Sequence, residues 1–140
     1  MITKECNKGK YCCFYVSNFH LEMILLPYIK KHLDDYEFIV LTEENLKESL
    51  EILINRVNIN KDEKEKILKL NWNNNSFKIN ESIKQKMLII NGSIKYINEI
   101  HKKIEKLKKI SYIDCYNIDI CKIDLKKILC NYDEILNTEN

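Results

Sequence analysis

YCCFYVSNFHLEMILLPYI, residues 11–29, is the stretch on which the reading of the whole chain turns. Its first part, Tyr11 to Val16, is a short run of aromatic, Cys and β-branched residues. A strand with one face in water alternates apolar and polar residues, whereas one covered on both faces need not. The run therefore predicts a buried, central strand. Ser17 or Asn18 is expected to cap a following helix, because a short polar side chain accepts a hydrogen bond from the free N–H groups of the first turn. Phe19, Met23, Leu26 and Ile29 to Leu33 recur near a period of 3.6 and are expected to form that helix's buried stripe. Pro27, the single proline, falls inside the helix, removes the bond to the Met23 carbonyl and should bend the axis.

Working outward, Glu37 to Leu41 (EFIVL) predicts a second strand, with Thr42 as an N-cap and Glu43 and Glu44 against the positive end of the next helix. Leu46, Leu50, Leu53 and Val57 share one stripe of that helix. Asn60 and Glu63 have capping-box spacing and open a third helix to about Leu70, whose end could turn into a short edge strand at Leu68, Leu70 and Trp72. Asn73 to Ser76 reads as a loop, and Phe77 to Lys86 as an ambiguous segment, helical if short. Met87 to Asn91 is a third buried strand. Asn91, Gly92 and Ser93 turn into the longest helix, marked by Ile94, Ile97, Ile100, Ile104 and Leu107. Ile110 to Tyr116 is the fourth strand, and a last helix from Asp124 is expected to bury Leu125, Ile128, Leu129, Tyr132 and Ile135.

Strands separated by helices of ten or more residues pair in parallel through right-handed crossovers. The fold class is therefore α/β, a three-layer sandwich on a mainly parallel sheet of four or five strands. At 140 residues the chain reads as one domain, residues 1–140, with a flexible N-terminus over 1–10 and a frayed end over 137–140. Hydrophobic residues make up 45%, enough for an ordinary core. The formal charge is only +2, which gives no electrostatic reason to expect nucleic acid or acidic lipid. Arg56 is the one arginine among 23 basic residues, and Lys, Ile and Asn abound, as codon bias in an AT-rich bacterial genome would produce. MITKECNKGK lacks the apolar region of a signal peptide, and no stretch approaches the roughly 18 apolar residues of a membrane span. The expected address is the cytoplasm, where thiols stay reduced.

The motif chemistry is sparse. A phosphate-binding loop of the GxxxxGK[ST] type needs glycines so that backbone N–H groups can wrap a phosphate, but the chain has only Gly9 and Gly92. The Asn91–Gly92–Ser93 turn, at a helix N-terminus, is the one place where an anion could rest on free N–H groups, beside the plainer reading of a strand-to-helix turn. None of Cys6, Cys12, Cys13, Cys115, Cys121 and Cys130 forms a CxxC, and neighbours on a strand face opposite ways, so Cys12 and Cys13 do not share a metal. No metal and no cofactor is expected. Cys121 is the best placed for an exposed thiol. His32 and His101 sit beside lysines on helix faces and read as solvated surface. His20 alone lies where a site should be, with Ser17 as a weak partner. The run His101 to Lys109 is basic, but Glu99–Lys103 and Glu105–Lys109 have i, i+4 spacing, and no aromatics interleave for base stacking.

FYVSNFHLEMILLPYIKKHL, Phe14 to Leu33, followed by FIVLTEENLKESLEIL, Phe38 to Leu53, resembles the opening of the methanogen/methylotroph sensory (MEDS) domain. That family opens with an aromatic strand, a loop with an acidic residue, a helix with a Leu-Pro-aromatic core, and a second strand and helix. IDCYNIDICKIDLKKIL, Ile113 to Leu129, is similar to its closing strand and helix, with Cys115, Tyr116 and Asn117 in place of Cys-x-Tyr-Asp. The family's long central helix is replaced by the shorter 77–86 segment, a trimmed version. The likeness covers most of the chain and rests mainly on hydrophobic patterns. It implies a degenerate relative of KaiC/RecA-type ATPases without the nucleotide loop, used as a sensory module that detects small molecules or relays signals.

In open parallel sheets, ligands bind beyond the carboxyl ends of the strands. The expected binding residues are thus Tyr15, Ser17, Asn18, His20, Thr42, Glu43, Asn91, Gly92 and Ser93. The expected function is a non-catalytic regulatory domain that takes a small-molecule ligand or a signalling protein partner at that edge. The alternatives are an interaction or homodimerisation module with no ligand, and a small enzyme using His20. No catalytic residue is assigned.

Overall fold

The chain alternates strands and helices: β1 (Lys10–Tyr15), α1 (Asn18–His32), β2 (Glu37–Thr42), α2 (Lys47–Ile54), α3 (Lys61–Leu68), β3 (Lys86–Asn91), α4 (Ile94–Ile104), β4 (Ile110–Asn117) and β5 (Glu134–Leu136). These come from a computed structural model that describes residues 9–73, 85–107, 109–119 and 131–138. All five strands are parallel, in the order β2-β3-β4-β1-β5, so the fold is an α/β three-layer sandwich. Cys6, Ser76, Phe77, Asp124, Leu125, Ile128, Leu129 and Cys130, and the exposed thiol expected at Cys121, lie outside the described residues.

Alternation along the strands sorts the core into two layers. Cys13 and Tyr15 face α1, α2 and α3, together with Ile89, Ile113 and Cys115, while Cys12 and Phe14 face α4 with Leu88 and Ile90. The two adjacent cysteines do point apart. From β1 to β2 the chain steps one way across the sheet; from β3 to β4 it steps back. Right-handed crossovers place α1 and α4 on opposite faces, as observed, whereas α2 and α3, in a connection that steps the same way as β3 to β4, pack on the α1 face; residues 74–84 of that connection lie outside the described residues. β3 is buried at all six positions, which is why its sequence is a continuous apolar run.

The helices begin where capping chemistry puts them. Ser17 Oγ accepts the N–H of His20, the Asn60–Glu63 capping box is complete, and Ser93 Oγ accepts the N–H of Tyr96. Other expectations fail. α1 buries Leu21, Glu22, Ile24, Leu25, Leu26 and Ile29, whereas Phe19 and Met23 are exposed. The helix is apolar on nearly every side, so its period alone does not select the face. Thr42 is not a helix cap: it ends β2 fully buried, its hydroxyl donates to the Glu44 carbonyl at 2.8 Å, and α2 starts only at Lys47. Val57 lies beyond α2 and is exposed. Leu70 to Trp72 is not a strand. Trp72 is buried, its indole N–H donates to the Ile67 carbonyl at 2.8 Å, and its own carbonyl accepts the N–H of Leu46 at 2.7 Å. α4 ends at Ile104, so Glu105 and Lys109 do not share a helix.

The largest correction lies near the C-terminus. Glu134–Leu136 is a strand, not helix, and Ile135 is exposed. β1 needs a partner on its outer side, and Asp133 supplies the entry: its N–H donates to the Lys10 carbonyl at 2.7 Å and its carboxylate accepts the Lys10 N–H at 3.0 Å. Such ladder bonds outweigh the helical spacing of Tyr132 and Ile135.

Candidate functional site

The connections leaving β1 and β2 go to one face of the sheet and the one leaving β3 goes to the other, so the carboxyl ends of these strands flank a change of face. Five of the expected residues, Tyr15, Thr42, Glu43, Asn91 and Ser93, form one hydrogen-bonded unit there, with Gly92 between the last two. Tyr15 reaches across β4 and its hydroxyl donates to Asn91 Oδ1 at 2.6 Å. Asn91 Nδ2 donates to Thr42 Oγ1 at 3.1 Å. All three side chains are buried, and each polar atom is matched inside the protein, which avoids the cost of leaving it unsatisfied away from water.

Beside them, Glu43 is tied in through its backbone, its N–H donating to the Asn91 carbonyl at 3.0 Å. Its carboxylate accepts the Ser93 N–H at 2.7 Å, at the positive end of α4. On the Asn91–Gly92–Ser93 turn, where an anion could rest, the protein's own carboxylate takes the Ser93 N–H. Gly92 makes the approach feasible: a Cβ at 92 would run into the Glu43 carboxylate and lie 2.7 Å from Cδ2 of Tyr96. Ser17, Asn18 and His20 form a separate turn at the start of α1. The Val16 N–H donates to Nδ1 of His20 at 3.1 Å, so both Ser17 and His20 serve the backbone. Among the described residues their side chains make no hydrogen bond to each other.

A second polar cluster, on the α4 face, escaped the sequence. His101 is not solvated surface. Its Nε2–H donates to both carboxylate oxygens of Asp114, at 2.9 and 2.7 Å, and its ring stands edge-on to Tyr112 with centroids 4.4 Å apart. Asp114 lies fully buried on β4, the middle strand. The Tyr132 hydroxyl also donates to it, at 2.5 Å, and shares a hydrogen bond with the Tyr116 hydroxyl. Burial pushes the Asp114 carboxyl above the usual range, and the His101 and Tyr132 contacts pull it back. Burial, then the Asp114 charge, push the Tyr112 hydroxyl up to about 12. Two signals in the sequence mark this pair. His101 falls on the stripe of Ile97 and Ile104, and Asp114 interrupts the apolar run of β4.

A third polar group is buried between α1 and α2. Glu22 is fully buried; one carboxylate oxygen accepts the Ser49 hydroxyl and the other, Oε1, has no partner among the described residues. Burial pushes its carboxyl from 4.5 up to about 7, with Ser49 pulling the other way.

Among the described residues no group of three or more His, Cys, Asp or Glu side chains is placed to hold a metal ion, and no helix is long and apolar enough to cross a membrane. The fold and its strand-end unit define the class, a parallel α/β protein with a polar unit at its carboxyl edge. No protein family, curated protein or solved structure matches the chain.

Proposed function

We propose that the chain is a non-catalytic regulatory domain that docks a partner protein at the carboxyl edge of its sheet. The supporting observation is an exposed apolar rim, Val16 (53% exposed), Phe19 (48%), Met23 (42%) and Ile118 (51%), around an edge whose polar groups are largely engaged with one another. Val16 and Ile118 leave neighbouring strands side by side, with the Ile118 N–H donating to the Tyr15 carbonyl at 2.9 Å. Phe19 and Met23 follow one turn apart on α1. Exposed apolar side chains are ordinary singly, but a group of them marks an interaction surface. Buried against a partner, each contributes about 1.5–3 kcal/mol. The resemblance to the MEDS domain favours the same reading, because a sensory module acts through what it touches.

The test places a photo-crosslinking residue at position 19, and in a control at Lys66 on α3, in cells that make the chain. A protein captured at 19 and not at 66 is then purified and titrated against the native chain and a Phe19→Glu/Ile118→Lys variant. The variant is expected to keep its circular dichroism and lose at least tenfold in affinity. Unchanged affinity overturns the proposal. Capture of a second copy, with a dimer in light scattering, identifies the interaction as homodimerisation.

A second reading is favoured by Glu43. An exposed carboxylate that occupies a helix N-terminus can be displaced by a small anionic ligand, which would make this edge a sensor site. A thermal-shift screen with nucleotides and metabolites checks it. A hit is expected to raise Tm by several degrees and to move the Ser93 amide resonance. A panel that does neither rejects it.

A further inference from the structure

The His101–Asp114 pair borders a cavity of about 360 Å³ lined by Lys10, Lys102, Glu105, Ile104, Ile110 and Tyr112, with His101 itself in the wall. Lys10 and Ile110 are the first residues of β1 and β4, so the cavity opens at the amino end of the sheet, away from the carboxyl edge. Its volume falls in the range of small-molecule sites, roughly 300–1,000 Å³.

Asp114 is costly where it stands. Its register neighbours are Cys12 and Ile90, and an apolar residue would fill the position without desolvating a charge. Asp114 and Tyr112 instead fix a single imidazole: the carboxylate takes Nε2–H and the phenol ring sets the plane. Nδ1 is left without a hydrogen bond among the described residues, and the side chain keeps 28% of its surface exposed. With Nε2–H given to Asp114, Nδ1 of a neutral ring accepts; the doubly protonated ring, paired with the Asp114 carboxylate, also presents an Nδ1–H donor aimed by the fold.

The charges around the cavity select the guest. Among the described lining residues two ammonium groups stand against one carboxylate, Glu105. The carboxyl end of α4 adds about half a negative charge and Asp114 lies behind His101, so the surplus is positive when the His101 ring carries both protons. Ile104 and Ile110 make part of the lining apolar. We infer that this cavity binds a small carboxylate with a short apolar body, its oxygens taking Nδ1–H of the doubly protonated His101 ring and the ammonium groups of Lys10 and Lys102. The two isoleucines favour a carboxylate over a fully hydrated inorganic phosphate.

The experiment titrates the full chain with butyrate, butanol and butylammonium while following the ring resonances of His101 and Tyr112. Butyrate is expected to shift both saturably, and the other two to leave them in place. Lys10→Gln/Lys102→Gln, a change at two exposed side chains, is expected to keep Tm and weaken butyrate at least tenfold. Saturation by butylammonium equal to that by butyrate, undiminished affinity in the double variant, or ring signals unmoved by any probe each overturns the inference. In the last case Asp114 and His101 serve only to clamp α4 to the sheet.

Discussion

Replacing Glu22 with Gln is expected to stabilise the protein, and to do so more strongly the higher the pH. In the folded chain the buried carboxyl carries an oxygen with no partner among the described residues, and burial lifts the carboxyl from 4.5 to about 7. An acid whose folded value is raised binds its proton more tightly in the native state, so ionisation opposes folding. Its favourable state is fully present below the unfolded value of 4.5 and is lost as pH climbs through the window to about 7. At 1.36 kcal/mol per unit, the complete loss is about 3 kcal/mol. Gln keeps the shape and the bond to Ser49 without ever ionising. The stability gap between Glu22→Gln and the native chain should therefore widen by about 2.5 kcal/mol from pH 5 to pH 8. With m near 2 kcal/mol/M, that is a relative shift of roughly 1.2 M in the urea midpoint. Comparing the two proteins at each pH cancels every other titrating group. A gap that stays constant across this range, or a native chain more stable than the variant at pH 8, refutes the reasoning.

Two other predictions rest on the same accounting of buried polar groups. Tyr15→Phe removes the donor to Asn91 Oδ1 and strands that oxygen, so chemical denaturation should register a loss of about 1–3 kcal/mol. Cys12, Cys13 and Cys115 are buried, and burial lifts the Cys12 thiol to about 12. Iodoacetamide at pH 8 should leave these three unmodified in the native protein and alkylate them in urea, as peptide mass spectrometry can read.

The sheet was legible because strands covered on both faces leave continuous apolar runs, and those around Cys12, Val40, Ile89 and Ile113 all became strands. Ser17, Asn60 and Ser93 were legible as caps, since a cap is a local bargain between one side chain and the next turn. What the sequence hid depends on distant partners. β5 has three residues and a single buried one, Leu136, so no period announces it; the free side of β1 recruits it. The buried face of α1 is not legible in its sequence because Phe19, Leu21, Met23, Ile24, Leu25 and Leu26 surround the helix with apolar choices. At the strand ends, Tyr15, Thr42 and Asn91 were chosen by topology, yet no sequence pattern says that they would satisfy one another. Asp114 and His101 lie on different elements, and only the packing of α4 against β4 reveals them as a pair.

The order of the strands also bears on how the protein is made. β1 is synthesised well before its register partners, which begin at Tyr112 and Glu134. At about 5–20 residues per second, the first of them follows Lys10 after roughly 5–20 s. Throughout that wait the nascent segment KYCCFY, aromatic and almost uncharged, has no native neighbour to cover its backbone. Until then the segment has the short, β-prone, nearly uncharged character that favours pairing with other copies.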